Sequence, residues 1–215
     1  MDVDVRAAGD LDRAELMRLF ARAGEGSPSA SLWGDSDSEA AIYLTPYLDL
    51  EPGSAFVALL DDRPVGYLVG CVDGTRFPTE EERMRAVLRE ARLFRRREVR
   101  RFFARALLDL GRARLRQRET AGDLVDPRWP SHLHVNVAPE GRGTGAAQAL
   151  MARWSDRLAA AGSPGCHLQT LVENARAVRF FTAEGFCPHG PTPLVPGVRY
   201  QRARVHQLTM VRPGP

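Results

Sequence analysis

The sequence predicts an α/β fold: a mixed central sheet of about six to seven strands flanked by helices, with hairpins at both ends. Three observations carry the class. β-Branched runs alternate with amphipathic helical stretches along the chain. Residues 135–151 read as a strand, a glycine-rich loop and a helix in immediate succession. The apolar content is 44% over 215 residues, enough for a buried core and consistent with one domain that carries an insertion.

Each element follows from local pattern. Val3 to Arg6 alternates as a short first strand does. Asp10 or Asp12 is placed to cap a helix with Leu16, Leu19 and Phe20 on one face. Residues 24–37, rich in Gly and Ser, read as loop. A second helix spans Ser38–Tyr47 and stops before Glu51-Pro52-Gly53. Ala55–Leu60 and Val65–Val72 form a hairpin about an Asp61-Asp62-Arg63-Pro64 turn. Residues 79–118 are a highly charged helical region in two pieces, and 119–131, with Pro127 and Pro130, is a loop. His132–Val137 is the next strand. Ala147, Leu150, Met151, Trp154 and Leu158 recur at helical spacing up to Gly162. Cys166–Val172 is a strand, and Asn174 caps a short helix whose inner face is Ala177, Phe180 and Phe181, closed by Gly185. Phe186–His189 and Ala203–Val211 pair as a last hairpin across a proline-rich loop.

Composition narrows the function classes. The net charge of +3 is modest for this length and does not call for a nucleic-acid partner. All 30 basic residues are Arg; the chain has no lysine. Cys71, Cys166 and Cys187 are an odd, sparse set, which argues against a disulfide framework, and no spacing suggests a metal site. The start is acidic and lacks an apolar leader, and no run approaches a membrane span, so the expectation is a cytoplasmic protein with no membrane contact.

The junction at 135–151 is the most informative stretch. Its helix opens with backbone N–H groups that lack intrahelical partners, and the helix dipole favours negative charge there. Gly143 and Gly145 let the backbone approach a ligand with no Cβ in the way, and Arg142 adds a fork suited to phosphate oxygens. The loop is no P-loop, because no Gly-Lys-Ser/Thr follows, and it is not G-x-G-x-x-G. Arg142, Gly143, Thr144, Gly145, Ala146 and Ala147 spell R-x-x-G-x-A. With Val137 and Pro139-Glu140 before it and Ala149-Leu150-Met151 after it, this resembles the pyrophosphate-binding motif of the GNAT superfamily of acetyl-CoA-dependent N-acetyltransferases. Residues 168–186, a strand, Asn174, a helix with Phe180-Phe181, then Gly185-Phe186, resemble the second landmark of that family. Ser131–Val137 and Gly165–Leu168 also resemble a narrower bacterial group, similar to the acetyltransferase-like domain attached to O-GlcNAcase.

The resemblance implies a single GNAT domain over 1–215, with 74–130 inserted between the third and fourth strands. It implies acetyl-CoA as co-substrate and direct transfer to the amine of a small-molecule or peptide-like acceptor. It assigns backbone groups of Val135 and Val137 to the pantetheine and thioester. It assigns Arg142, Gly143, Thr144, Gly145, Ala146 and Ala147 to the pyrophosphate, and Asn174 to the pantetheine arm, although Asn174 serves equally as a plain helix cap. Phe181 falls where the family commonly has a tyrosine that protonates the departing thiolate, and a phenylalanine has no proton to give. That departure keeps open an alternative: a catalytically silent acyl-CoA-binding or protein-interaction module.

Acetyl transfer needs a neutral amine, so a base is expected near it, along with donors for the carbonyl oxygen. His132, His134 and Asn136 share one strand face, opposite Val135 and Val137. His134 is the first candidate base and His132 the second, each with the alternative of a satisfied core histidine; His167 is a candidate partner of either. Glu173 is a further candidate base or a solvated strand-end carboxylate. Tyr200, like Tyr43 and Tyr47, is a candidate to line the acceptor site or to replace the missing phenol as a catalytic group, or else an ordinary half-buried tyrosine. Residues 92–118 carry eleven arginines interleaved with Leu93, Phe94, Phe102, Phe103, Leu107, Leu108 and Leu110. They read as a lid, an acidic-partner or nucleic-acid surface, or a helix pair with an Arg-rich solvent face, the last favoured by the acidic neighbours Glu80, Glu81, Glu82, Glu90 and Glu98. The pattern also permits a homodimer through this region or the last hairpin.

Overall fold

A computed structural model of the chain describes residues 3–9, 12–24, 33–90 and 96–214. Asp10, the loop segment 25–32, and Arg92, Leu93, Phe94 and Arg95 lie outside the described residues. The elements run β1 (Val3–Ala7), α1 (Arg13–Ala23), α2 (Ser36–Tyr43), α3 (Thr45–Leu50), β2 (Ala55–Leu60), β3 (Arg63–Cys71), α4 (Glu80–Glu90) and α5 (Arg97–Leu115). They continue with β4 (Ser131–Val137), α6 (Ala146–Ala161), β5 (Gly165–Leu171), α7 (Ala175–Ala183), β6 (Cys187–Pro188), β7 (Leu194–Tyr200) and β8 (Ala203–Pro213). The strands form one sheet in the order β1-β2-β3-β4-β5-β8-β6, with β7 paired to β8. Only β4 and β5 run parallel; the other neighbours are antiparallel.

Both sheet faces are covered. On one, Leu150, Met151, Trp154 and Leu158 of α6 are fully buried against Phe56, Leu68 and Leu133. At Gly70 a Cβ would lie 2.6 Å from the Trp154 ring, so the indole takes the space a side chain would need. On the other face, Leu16, Leu19, Leu44 and Tyr47 pack on Val57, Tyr67 and Val69. A third cluster joins Ile42 of α2, Val87 of α4, Val99 and Phe102 of α5, and Val198 and Val205 of the β7–β8 hairpin. The stretch between β3 and β4 is thus helical, as the sequence predicts, and docks on that hairpin.

Three local expectations are corrected. The helix predicted over 38–47 is two helices broken at Leu44, whose backbone leaves the helical region (ψ −59°, φ −127°). Pro46 has no N–H and disfavours helix at the residue before it; the Ile42 carbonyl instead accepts from Arg83 Nη1 at 2.8 Å. The β2–β3 turn is only Asp61-Asp62, both at positive φ, the two-residue geometry whose twist matches the flanking strands. Pro64 then enters β3 at a register shift beside Leu59. Finally, much of the predicted proline-rich loop is strand: β7 pairs with β8 across a second two-residue turn, Gln201-Arg202, with Pro196 inside a register irregularity. Proline on an edge strand hides the strand signal without preventing the strand.

Candidate active site

The parallel pairing of β4 with β5 covers only Ser131↔Cys166 and His132↔His167. Beyond those pairs the strands part, while β4 stays paired to β3 through Val137 and β5 to β8 through Leu171. The result is a wedge opening toward the carboxyl ends of both strands. The Ala138 N–H donates to the Val65 carbonyl at 2.8 Å. The alternation of an antiparallel ladder then commits His134 and Asn136 to β3 and turns the backbone groups of Val135 and Val137 toward the open side.

The glycine loop stands at the mouth of this wedge. Gly141 tucks against Val65 and Val137, where a Cβ would come within 2.9 Å of each, so glycine is required for the chain to turn there. The Thr144 hydroxyl donates to the Gly141 carbonyl at 2.8 Å and pins the loop. Gly143 and Gly145 have φ of +80° and +93°, and a Cβ at either would meet nothing within 4 Å. Gly145 is the N-cap of α6, with no side-chain cap and no acidic residue in the first turn. The first turn of α6, from Ala146 and Ala147, therefore has no side-chain cap, and the space over Gly143 and Gly145 before it is open. Part of the Arg142 fork is engaged: Nη2 donates to the Ala23 carbonyl, the last residue of α1, at 3.2 Å. Arg176 of α7, which the sequence reading missed, feels the Arg142 charge; burial first and that charge second hold its guanidinium below the usual value. A cation three residues before a helix N-terminus, with the field of a second one felt beside it, makes an anion-seeking pole, and the residues present fit a pyrophosphate.

The opposite face of β4 is aromatic. His134 Nε2 is hydrogen-bonded to the Tyr47 hydroxyl at 3.1 Å, and its ring meets those of Tyr47 and Tyr43 edge-on at 5.3 and 6.0 Å. His132 packs on Tyr47 and Phe77, and the Arg83 guanidinium lies over both of those rings. Burial, reinforced by Arg83 and His167, pushes His134 down to about 3. Burial and the neighbouring histidines hold His132 well below the ordinary range. Burial thus keeps both imidazoles neutral near pH 7, the form a general base needs, while lowering their basicity. His167 bonds neither: its Nδ1 lies 2.7 Å from the Trp129 carbonyl. The carboxylate on this side is Glu80 of α4, which accepts the Tyr43 hydroxyl at 2.7 Å and is pushed up by burial. No spacing in the sequence links residues 43 and 80. Asn136 Nδ2 donates to the Tyr67 hydroxyl at 2.8 Å.

The remaining candidates are dispersed. Glu173 is engaged by β8, accepting the His206 N–H and holding His206 Nδ1, each at 3.1 Å. Tyr200 packs at the edge of the α2–α5–β7 cluster with Tyr43 and Leu171. Asn174 Oδ1 caps α7 through the Ala177 N–H at 3.3 Å. Phe181 is buried against Phe180 and Phe186. Burial, with Glu51 beside it, pushes the Cys71 thiol up to about 12, which makes it a poor nucleophile. Among the described residues no cluster suited to a metal ion occurs, and no helix is long and apolar enough to cross a membrane.

A family model described as the acetyltransferase (GNAT) family matches residues 15–186. Among solved structures, the chain is similar to SsHAT, with 20% identity and a TM-score of 0.61 over 97% of this chain and 98% of that one. It is similar to yncA from Salmonella typhimurium, determined with its cofactor acetyl-CoA, at 14% identity and TM-score 0.60 over 99% and 94%. It is also similar to the ribosomal-protein-alanine N-acetyltransferase from Brucella melitensis, at 17% identity and TM-score 0.58 over 98% and 99%. At these identities the structural likeness speaks for the fold, and the family match for the family.

Proposed function

Taking as premise that the chain belongs to the GNAT acetyltransferase family and is therefore an acyltransferase that uses acetyl-CoA, we propose that it moves an acetyl group directly to the amine of a small-molecule or peptide-like acceptor, with no acyl-enzyme. One observation carries the reading: the β4–β5 wedge in the middle of the sheet opens at the carboxyl end of β4, where the chain leads into the glycine-led start of α6. Gly143, Thr144, Gly145, Ala146 and Ala147 hold the pyrophosphate through backbone N–H groups, with Arg142 and Arg176 supplying charge. Val135 and Val137 bond the pantetheine and the acetyl carbonyl from the open strand edge. Asn174 uses Oδ1 as a cap and keeps its Nδ2 for the pantetheine arm. Acetyl-CoA supplies the activated thioester.

The acceptor approaches from the aromatic face. Tyr47, His134 and His132 bound its amine and keep it desolvated, which itself lowers an ammonium pKa. The Tyr43–Glu80 pair takes up the proton. Thiols have pKa values near 8.5, so coenzyme thiolate leaves without the phenol that Phe181 lacks. A second reading, a silent acyl-CoA-binding module, is favoured by the buried Phe181 alone; it expects binding without thiol release on any amine.

Calorimetric titration of acetyl-CoA into the wild type and into Gly145→Glu tests the reading. The substitution sets a carboxylate against the pyrophosphate in a backbone conformation that strains any side chain by about 1–3 kcal/mol. The expected result is binding by the wild type and at least about a tenfold loss in a variant that still melts cooperatively. Equal affinity, or no binding by either, sinks it.

A further inference from the structure

The Arg-rich helix α5 ends at a second cavity that the acetyl-transfer chemistry leaves unexplained. Its volume is about 420 Å³, within the roughly 300–1,000 Å³ of small-molecule sites. Arg112 and Arg116 reach it from the end of α5, Arg118 from the segment that follows, Arg204 and His206 from β8, and Thr192 from the loop before β7. Four arginines line it together with two acidic residues, Asp109 and Glu119.

Neither carboxylate pairs with Arg112, Arg116 or Arg118: among the described residues Glu119 enters no ion pair, and Asp109 is engaged elsewhere. Asp109 is fully buried and already saturated: it accepts the Gly197 N–H at 3.0 Å and pairs with Arg199 at 2.8 Å and with Arg204 at 3.2 Å. Arg112, Arg116 and Arg118 form no side-chain ion pair among the described residues. Nor do they cap their own helix. The carbonyls of Arg112, Ala113 and Arg114 accept the backbone N–H groups of Arg116, Gln117 and Arg118. The walls are fixed. The Ala121 N–H donates to Leu194 O at 2.8 Å, the Gln207 N–H to Pro193 O at 2.9 Å, and the Gln207 amide to Gly122 O at 2.9 Å. Glu173, from the end of β5, holds the His206 ring. Three exposed arginines outside any ion pair among the described residues, lining a cavity of ligand size with fixed walls, match a compact anion.

We propose that this cavity, between the end of α5 and the β7–β8 hairpin, binds a phosphate- or carboxylate-bearing small molecule. The anion is either a group on the acceptor or a separate effector. The site stands whether or not the glycine loop holds coenzyme.

Inorganic phosphate is the probe, added to the protein saturated with coenzyme A so that the glycine loop is occupied. Isothermal titration is followed in the wild type, Arg116→Ala/Arg118→Ala, Arg116→Glu and Gly145→Glu. Saturable binding in the wild type is expected, weaker by on the order of a hundredfold in the double alanine variant and abolished in Arg116→Glu, since each lost charge-assisted contact is worth about tenfold. Gly145→Glu, titrated without coenzyme A because its glycine loop is blocked, keeps phosphate binding, so failure of the two sites is distinguishable. Absence of saturable binding, or equal binding by the arginine variants, overturns the proposal. Thiol release with acidic amines and their neutral counterparts separates the sources. A preference for acidic amines that vanishes in Arg116→Ala/Arg118→Ala puts the anion on the acceptor. Arg116-dependent change of rate by added phosphate, with no such preference, makes it an effector.

Discussion

The pH behaviour of individual side chains on the aromatic face separates a structural from a chemical role. His134 has its pKa near 3 in the fold and about 6.5 when unfolded. Below about pH 6.5 the unfolded chain therefore binds the extra proton and the native state does not. Stability from this group is fully present above that pH and is lost progressively as pH falls toward 3. The loss amounts to a few kcal/mol, on the order of 1.4 kcal/mol per pH unit. Urea unfolding at pH 7.5 and 4.5 reads it: the fall between the two is expected to shrink in His134→Gln, and an unchanged fall removes the argument. Glu80 is the converse case. If it receives the amine proton through Tyr43, Glu80→Gln lowers kcat by about 10²–10⁴-fold with little change in acetyl-CoA affinity. A loss of stability without a loss of kcat would reduce the pair to a strut between α2 and α4.

At the level of elements, a few fixed turns aim the site. Gly141 is the tightest of these, since β3 and β4 leave no room for a Cβ between Val65 and Val137. Gly141→Ala is expected to cost about 1–3 kcal/mol through overpacking and to weaken coenzyme binding by shifting the whole loop. Thermal melts and calorimetry on the same variant test both halves; a stable variant with intact affinity would show that the loop accommodates the methyl. The break between α2 and α3 works similarly. Pro46 frees the Ile42 carbonyl, Arg83 claims it, and that bond places Arg83 over the Tyr47 and Phe77 rings. A proline in one helix thereby fixes a residue of another beside the histidines of β4.

Across the whole molecule, the segment between β3 and β4 is tied to the last hairpin by the apolar cluster around Phe102 and, beside it, by a buried carboxylate. Asp109 holds Gly197, Arg199 and Arg204 at once. Removing it leaves Arg199 without its partner and costs on the order of 3–5 kcal/mol. Asp109→Ala is expected to lower the melting temperature and raise amide exchange selectively in α5 and β7, while β2 and β3 stay protected; uniform loss across the sheet would contradict the anchoring role.

The sequence by itself determined what neighbours along the chain decide. Strand, turn and helix follow one another within residues 135–151 and 166–186, so the loop with Gly143 and Gly145, the Asn174 cap and the apolar stripe of α6 could be read from spacing alone. The GNAT family was legible there for the same reason. The exceptions are where proline masks a strand or splits a helix, because its local penalty is outweighed by pairing elsewhere. Only the tertiary structure decided the rest. The wedge depends on where β4 and β5 stop pairing, Tyr43 meets Glu80 across 37 residues, and Asp109 meets Arg199 across 90. The low basicity of His132 and His134 likewise comes from burial under helices distant in sequence. Backbone propensity acts over a few residues, whereas burial, charge and cavity shape arise from contacts that exist only once the chain has folded.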